Sequence, residues 1–278
     1  MPELPEVETI ARNLRLGTQG QPALIGRHLL EACLLWERTL AEPSPAEFYS
    51  RLAGQVIEAI GRRGKFLVFH LTHDWLLFHL RMSGDLFVRP KGTPPETHDR
   101  LLLTLDEDIQ LVFKDARKFG RVWLVNDLDR VVGSLGSEPL DITLTPDIFF
   151  TRLHANRRQL KPLLLDQSFI AGLGNIYADE ALNLAKLHPL TPSNTLTITQ
   201  ATSLLSAIRK VLQDGILRNG ASIDWVYRGG DFQNYFRVYQ RTGEPCPECG
   251  TLIARITVGQ RGTHFCPHCQ SAYILVGG

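Results

Sequence analysis

The chain has no long apolar run. Nowhere in its 278 residues does a stretch approach the roughly 18 apolar residues of a membrane span, so a helical membrane protein is not expected. Its start has no basic segment followed by an apolar one, so a secretory signal is not expected either, and the cytoplasm is. An excess of either charge is also missing: 30 Lys and Arg face 29 Asp and Glu, for a net charge of +1. That balance counts against a protein coated in positive charge for nucleic acid and leaves only local basic patches. No internal repeat is visible, so a repeat architecture is not expected.

What is present is an ordinary globular composition. At 44% hydrophobic and 21% charged, the chain can bury a core, and its length suits one large domain or two ordinary ones. Two stretches are locally basic. "RLHANRRQLK", Arg152 to Lys161, holds four Lys or Arg and no acid, and "KDARKFGR", Lys114 to Arg121, holds four bases and one acid. The plainer reading of either run alone is a solvated face.

After an N-terminal helix, the first half reads as strands. "KFLVFHL" (65–71), "WLLFHL" (75–80), "RLLLTL" (100–105), "IQLVF" (109–113) and "RVWLV" (121–125) are short apolar runs separated by turn residues. Strands at that spacing predict a sandwich or barrel-like sheet. The character changes after about Val132. In "TITQATSLLSAIRKVLQDGI", Ala201, Leu204, Leu205, Ile208, Val211 and Leu212 recur at steps of three and four, one apolar face of a helix. "NIYADEALNLAKL" (175–187) predicts another helix, stopped near Pro189. The final forty or so residues turn to Cys, Gly and short strands. The fold class expected is therefore α+β and multidomain: a β-rich part over 1–132, a helical part over 133–235 and a small module over 236–278.

Four of the five cysteines lie in "CPECG" and "CPHCQ", as Cys246, Cys249, Cys266 and Cys269. Each C-x2-C turn aims two thiolates at one point, and two such knuckles close a tetrahedral S4 site suited to zinc. Two disulfides are the alternative, but they need an oxidising compartment of which the sequence gives no sign. Four thiolates leave no open position, so one structural Zn2+ is expected. Cys33, in "EACLLW", reads as a buried core thiol. Between the knuckles, "VGQRGTHF" puts Gln260-Arg261-Gly262 at the expected hairpin tip, where an arginine beside glycine can touch phosphate. A solvent-exposed turn arginine is the plainer reading.

The opening "MPELPEVETI" places Pro5 at the first helical position, followed by a stripe of Val7, Ile10, Ala11 and Leu14. Glu6 and Glu8 in the first turn complement the helix dipole. Pro2-Glu3 is left unexplained by a helix. Were Met1 removed, Pro2 would carry a free secondary amine. An α-amino group titrates near 8, well below lysine, and the helix N-terminus lowers it further. Such an amine can attack an electrophilic carbon and form an iminium, with Glu3 as an adjacent proton donor.

With "PELPEVET", "GRRGKF" around Lys65, "HLRMSG" around Met82, "DARKFG" around Arg117, "LLLDQSFIAGLGNIYADEAL" (163–182) and the four cysteines in that order, the chain resembles formamidopyrimidine-DNA glycosylase, a bacterial base-excision repair family. The resemblance runs from Pro2 to about Gln270. It implies an N-terminal β-sandwich with flanking helices, a helix–two-turn–helix domain and a C-terminal zinc β-hairpin. It implies a monomer acting on double-stranded DNA that contains a damaged base, in the bacterial cytoplasm and at the nucleoid, without a membrane.

The resemblance also implies roles. Pro2 attacks C1′ of the damaged nucleotide, Glu3 protonates the sugar ring oxygen and Glu6 supports the local backbone. Lys65 acts in β-elimination, and Arg261 grips phosphate and acts in δ-elimination. Met82, Arg117 and Phe119 fill the void left by the flipped base. His98, Arg157, Lys161 and Asn175 contact DNA, with the alignment at Arg157 loose by one or two positions. "GLGN" (172–175) offers amides to a phosphate at a helix start. Three departures stand out: Arg81 where glycine is frequent, Lys118 where arginine is common, and a short "VYRGGDFQNYFRVY" (226–239) in place of a longer loop over the flipped base. They bear on lesion preference. The competing readings are an endonuclease VIII-like enzyme for oxidised pyrimidines and a non-catalytic DNA-binding zinc protein of the same shape.

Overall fold

The computed structural model describes residues 1–18, 20–222 and 229–271. They divide into two units, Met1–Ser134 with Asn219–Gly230, and Leu135–Arg218 with Asp231–Gly278.

In the first unit, α1 (Leu4–Leu16) buries its stripe of Val7, Ile10, Ala11 and Leu14. Its N-cap is Glu3, so Pro5 is the second helical residue and not the first as predicted. The shift is tolerated because the amides of the first turn have no intrahelical partner. Then follow β1 (Leu29–Leu34), β2 (Leu40–Glu42), α2 (Pro45–Leu52), β3 (Ile57–Arg63), β4 (Phe66–Leu71), β5 (Trp75–His79), β6 (Gly84–Pro90), β7 (Asp99–Leu105), β8 (Ile109–Asp115), β9 (Arg121–Val125) and the short α3 (Asp129–Val132). They form a four-stranded sheet, β1-β7-β8-β6, and a five-stranded sheet, β2-β9-β5-β4-β3. One apolar cluster draws on both sheets and on α1, and Phe78 of β5 meets Phe113 of β8 edge to face at 5.6 Å. This is the predicted sandwich. Each buried ring contributes about 2–3 kcal/mol by burial alone.

β1 carries a correction. A bulge between Leu29 and Glu31 shifts the alternation of this edge strand. Ala32 and Leu34 therefore pack on the core, and Cys33 is exposed rather than buried as predicted.

The second unit holds α4 (Pro146–His154), α5 (Leu160–Leu164), α6 (Asn175–Leu184), α7 (Ile198–Leu217) and the hairpin β10 (Ala254–Val258) and β11 (Arg261–Phe265). α7 starts in a capping box between Thr197 and Gln200 and buries the six predicted apolar residues. α6 stops at Leu184, three residues before its predicted end, and Lys186 adopts φ +56°, outside the helical region. α7 packs against α4 and α6, and α6 against β11. Residues 219–222 and 229–230, assigned by sequence to the helical part, group with the first unit. No described helix is long and apolar enough to cross a membrane.

Candidate functional site

The N-terminal segment is fixed from both sides by one carboxylate. Glu3 and Glu6 form a reciprocal capping box, in which the Glu3 amide donates to Glu6 Oε2 at 2.7 Å. Glu6 Oε1 accepts the Ala221 amide at 2.8 Å. The sequence reading of Glu6 as a dipole-complementing acid is thus incomplete: the side chain is buried and holds two backbone amides. Gly220, at φ +80°, lets the chain come this close, since a Cβ there would sit 2.6 Å from Glu6 Oε1. Nearby, Arg12 donates to Asn219 Oδ1 at 2.6 Å, and Ser222 exchanges hydrogen bonds with the amide and carbonyl of Gly230. Pro2 and Glu3 are buried, Glu3 to 3% exposure.

Lys65 lies in the two-residue turn Gly64-Lys65 between β3 and β4, with Gly64 at φ +56° and Arg63 paired to Phe66. α1 packs on these same two strands. Lys65 is largely buried, and its charge is felt by His79. Burial, then Arg81, then Lys65 push the His79 imidazole down to about 3, so it is neutral at pH 7. Its Nδ1 accepts the Arg81 amide at 3.0 Å.

Met82, Arg117 and Phe119 lie in two turns of this unit, and all three are exposed, Met82 at 40% and Phe119 at 51%. Such exposure of the large apolar Met82 and Phe119 side chains suits a wedge and not ordinary core packing. Arg117 lies over the Phe119 ring at 5.2 Å. Two of the three departures from the family pattern have a backbone setting. Arg81 and Lys118 each adopt positive φ, +54° and +60°, a region where glycine is unstrained. Lys118 stacks its ammonium 4.0 Å from the Trp36 ring. His98 is exposed, and its carbonyl accepts the Asp115 amide at 2.8 Å.

In the second unit, Gln167 orders the turn ahead of α6. Its Oε1 accepts the Gly172 amide at 2.9 Å and its Nε2 donates to the Leu173 carbonyl at 2.8 Å. Gly174 is the N-cap and Asn175 the first helical residue, so the predicted glycine turn at a helix start is present. Asn175 Nδ2 donates to the Gly262 carbonyl at 3.0 Å, tying α6 to the hairpin. The hairpin tip is Gly259-Gln260, both at positive φ, as a two-residue primed turn requires. Arg261 is therefore not at the tip as predicted. It is the first residue of β11, paired to Val258, and exposed.

Lys161 also differs from its predicted DNA-facing place. It is fully enclosed, ion-paired to Asp179, and donates to the Gly262 carbonyl at 3.2 Å. Asp179 further accepts the His264 amide at 2.9 Å. Two buried charges must pair, and here they pair to join α5, α6 and β11. Arg157, on the link from α4 to α5, is exposed. Sequence reasoning passed over Gln167, Asp179 and Glu180; the buried Glu180 carboxylate accepts the amides of Arg237, Val238 and Tyr239. Residues 226–228 of the short loop lie outside the described residues.

The four cysteines of the C-terminal module are free thiols whose sulfurs all lie within 4.8 Å of one another. Zinc–sulfur bonds of 2.3 Å give a tetrahedron with edges of about 3.8 Å. The Cys249–Cys266 and Cys246–Cys269 separations of 3.5 and 4.0 Å bracket that edge. Burial, then hydrogen bonding with the other thiols, pushes the Cys269 thiol up to about 12. A divalent cation reverses that preference, and the set fits one structural zinc ion.

Three family models cover the chain: the formamidopyrimidine-DNA glycosylase N-terminal domain over residues 1–122, the H2TH domain of the same enzyme over 135–226, and a zinc finger found in FPG and IleRS over 243–272. The formamidopyrimidine-DNA glycosylase of Chloroflexus aggregans is 47% identical, with 97% of this chain and 98% of that protein covered. That of Protochlamydia amoebophila is 42% identical, with 97% and 99% covered. Among solved structures, MutM in complex with DNA containing carbocyclic 8-oxo-G matches with a TM-score of 0.89 at 37% identity, covering 98% of this chain and 100% of that one. Lactococcus lactis Fpg in complex with DNA containing N7-benzyl-Fapy-dG matches with the same score, identity and coverage. On fold, four-cysteine cluster and likeness over nearly its whole length, the chain belongs to the formamidopyrimidine-DNA glycosylase family.

Proposed function

We propose that this protein is a bifunctional DNA glycosylase and AP lyase that removes oxidised purines, 8-oxoguanine and formamidopyrimidines, from duplex DNA. The observation that carries the reading is the fixed terminus. Pro2 and Glu3 are buried, and Glu6 holds the Glu3 amide, in a chain that matches this family from end to end. An enzyme whose nucleophile is its own terminal amine needs a terminus that does not fray. The likeness to enzymes named for formamidopyrimidine favours purine lesions over the endonuclease VIII-like reading.

The chemistry follows from the residues. With Met1 removed, the Pro2 nitrogen attacks C1′ of a flipped nucleotide and the N-glycosidic bond breaks, the base leaving with a proton. Glu3 protonates O4′ as the sugar ring opens to an iminium. The iminium acidifies C2′, and loss of a C2′ proton expels the 3′ phosphate, a step assigned to Lys65. A second elimination, assigned to Arg261, expels the 5′ phosphate. Met82, Arg117 and Phe119 occupy the vacated stack, and His98, Arg157 and Asn175 contact the backbone. A bound zinc ion would supply a closed crosslink of Cys246, Cys249, Cys266 and Cys269 and no catalytic position. The modules carrying these roles span 1–132, 133–235 and 236–278, with residues 219–222 and 229–230 of the second grouping with the first. The protein is a bacterial-type repair enzyme, and its duplex substrate places it at the nucleoid in the cytoplasm.

Borohydride trapping tests the reading. Mature protein, a form retaining Met1 and Glu3→Gln are compared on duplex containing 8-oxoguanine and on duplex with a preformed abasic site. The mature protein traps on both. The Met-retaining form traps on neither, because an internal proline nitrogen is an amide. Glu3→Gln fails on the damaged base and keeps part of its activity at the abasic site. Equal trapping by the Met-retaining form would remove Pro2 as nucleophile, and preferential trapping of the mature protein on a third duplex, containing thymine glycol, would move it to the pyrimidine-directed branch.

A further inference from the structure

Met82 sits in the turn where the chain leaves the five-stranded sheet at β5 and enters the four-stranded sheet at β6. Arg117 and Phe119 sit in the reverse crossing, from β8 to β9. The strands on either side are paired: His79 faces Arg121 in one sheet and Gly84 faces Asp115 in the other. Both turns therefore close the same end of the sandwich.

A small polar hub joins them. The Ser83 hydroxyl donates to Asp115 Oδ1. The Arg117 amide donates to Ser83 Oγ at 3.0 Å and to Asp115 Oδ1 at 3.1 Å. The Gly120 amide donates to Asp115 Oδ2 at 2.7 Å. On the main chain of the same residue, the Asp115 carbonyl accepts Arg100 Nε at 2.7 Å and its amide binds the His98 carbonyl. Asp115 is 1% exposed and Ser83 is buried. The glycines flanking the hub leave no slack. A Cβ on Gly84 would lie 2.4 Å from the Leu80 carbonyl oxygen, and one on Gly120 would lie 2.4 Å from Phe113 Cζ.

We propose that Ser83 and Asp115 are positioning residues that lock the Met82 turn to the Arg117–Phe119 turn, so that the three exposed side chains are presented to DNA as one unit. The proposal rests on the void-filling role assigned above. Neither residue touches the reacting atoms. Asp115 fixes the start and end of one turn, and the Ser83 side chain carries this order across to the other. A wedge made of two independently moving turns would have to be ordered at each encounter, and that ordering entropy would oppose base flipping. A locked pair meets the duplex already ordered.

The test compares Ser83→Ala, Ser83→Thr, Arg117→Ala and the double variant Ser83→Ala/Arg117→Ala. Single-turnover excision is measured on 8-oxoguanine duplex, and borohydride trapping on a single-stranded abasic oligonucleotide, which has no stack to fill. Thermal melts verify that each variant is folded. Removing this hydroxyl bridge is expected to slow duplex excision by about five- to tenfold, with a smaller loss on the single strand. Threonine, which keeps the hydroxyl, restores most of the rate. In the Arg117→Ala background the Ser83→Ala loss shrinks to about twofold or less, because coupled residues are not additive. Equal losses on both substrates, or a Ser83→Ala loss undiminished beside Arg117→Ala, overturn the coupling and leave Ser83 as ordinary turn packing. Should Arg117→Ala alone excise from duplex at the wild-type rate, the void-filling role and the coupling fall together, while trapping by the wild type still reports on Pro2.

Discussion

At the scale of single residues, His79 links chemistry to stability. Burial and the nearby Arg81 and Lys65 hold its pKa at about 3, against 6.5 for a free imidazole. Between those values the unfolded chain binds a proton that the folded chain does not. The stability His79 permits is therefore complete above about pH 6.5 and is lost as pH falls towards the folded pKa. Protonation would also compete with the Arg81 amide for Nδ1, the bond that secures the turn bearing Met82. Urea unfolding followed from pH 7 to pH 4 should show a midpoint that falls with acid, and His79→Gln should flatten that fall. Parallel slopes for the two proteins would mean that other groups dominate. The neighbouring Arg81 shows why glycine suits its position: the backbone there is at φ +54°, and a side chain must accept strain of about 1–3 kcal/mol to stand in it.

At the scale of elements, the zinc hairpin is the clearest case. Its outer turn is short, its strands pair over five residues, and its attachments run to α5 through Lys161 and to α6 through Asn175 and Asp179. Cys249→Ala opens the ligand set and should disorder Arg261 while sparing the sandwich. Duplex affinity should fall together with zinc content, because the binding energy of a structural metal is folding energy for its module. Unchanged affinity and salt dependence would show that the hairpin is not a DNA element. How far such elements can be read beforehand depends on how local their cause is. β4, β5, β7, β8 and β9 were legible because continuous apolar runs mark them. The bulged β1, the three-residue β2 and β3, with "IEAIGRR", carry no such mark. The candidate site divides in the same way. The cysteine spacing, the glycine turn and the terminal Pro2-Glu3 are local patterns. Ser83, Asp115 and Gln167 act on backbone amides, and Ser83 reaches Asp115 and Arg117 across 32 and 34 residues, a separation no local pattern records. Lys161 misled for the opposite reason: its basic neighbourhood suggested a surface, but its partner Asp179 arrives from another helix.

At the scale of the whole molecule, a net charge of +1 means that attraction to DNA rests on a few placed cations and not on a general field. The plot of log affinity against log salt should accordingly have a shallow slope, set by those phosphate contacts alone. Arg261→Ala should weaken binding to all sequences alike and reduce the slope by about 1. A slope unchanged in that variant would take Arg261 off the phosphates. The bond between Glu6 and Ala221 has its own consequence. Its partners are 215 residues apart in a chain of 278. During synthesis the N-terminal helix leaves the ribosome early, but the carboxylate beneath Glu3 meets its second amide only when residue 221 has emerged. At about 5–20 residues per second that interval lasts roughly 10–40 seconds. A truncated product that stops short of residue 221 would carry Pro2 and Glu3 without this clamp, so the proposed reactive end is completed only after residue 221 has been made.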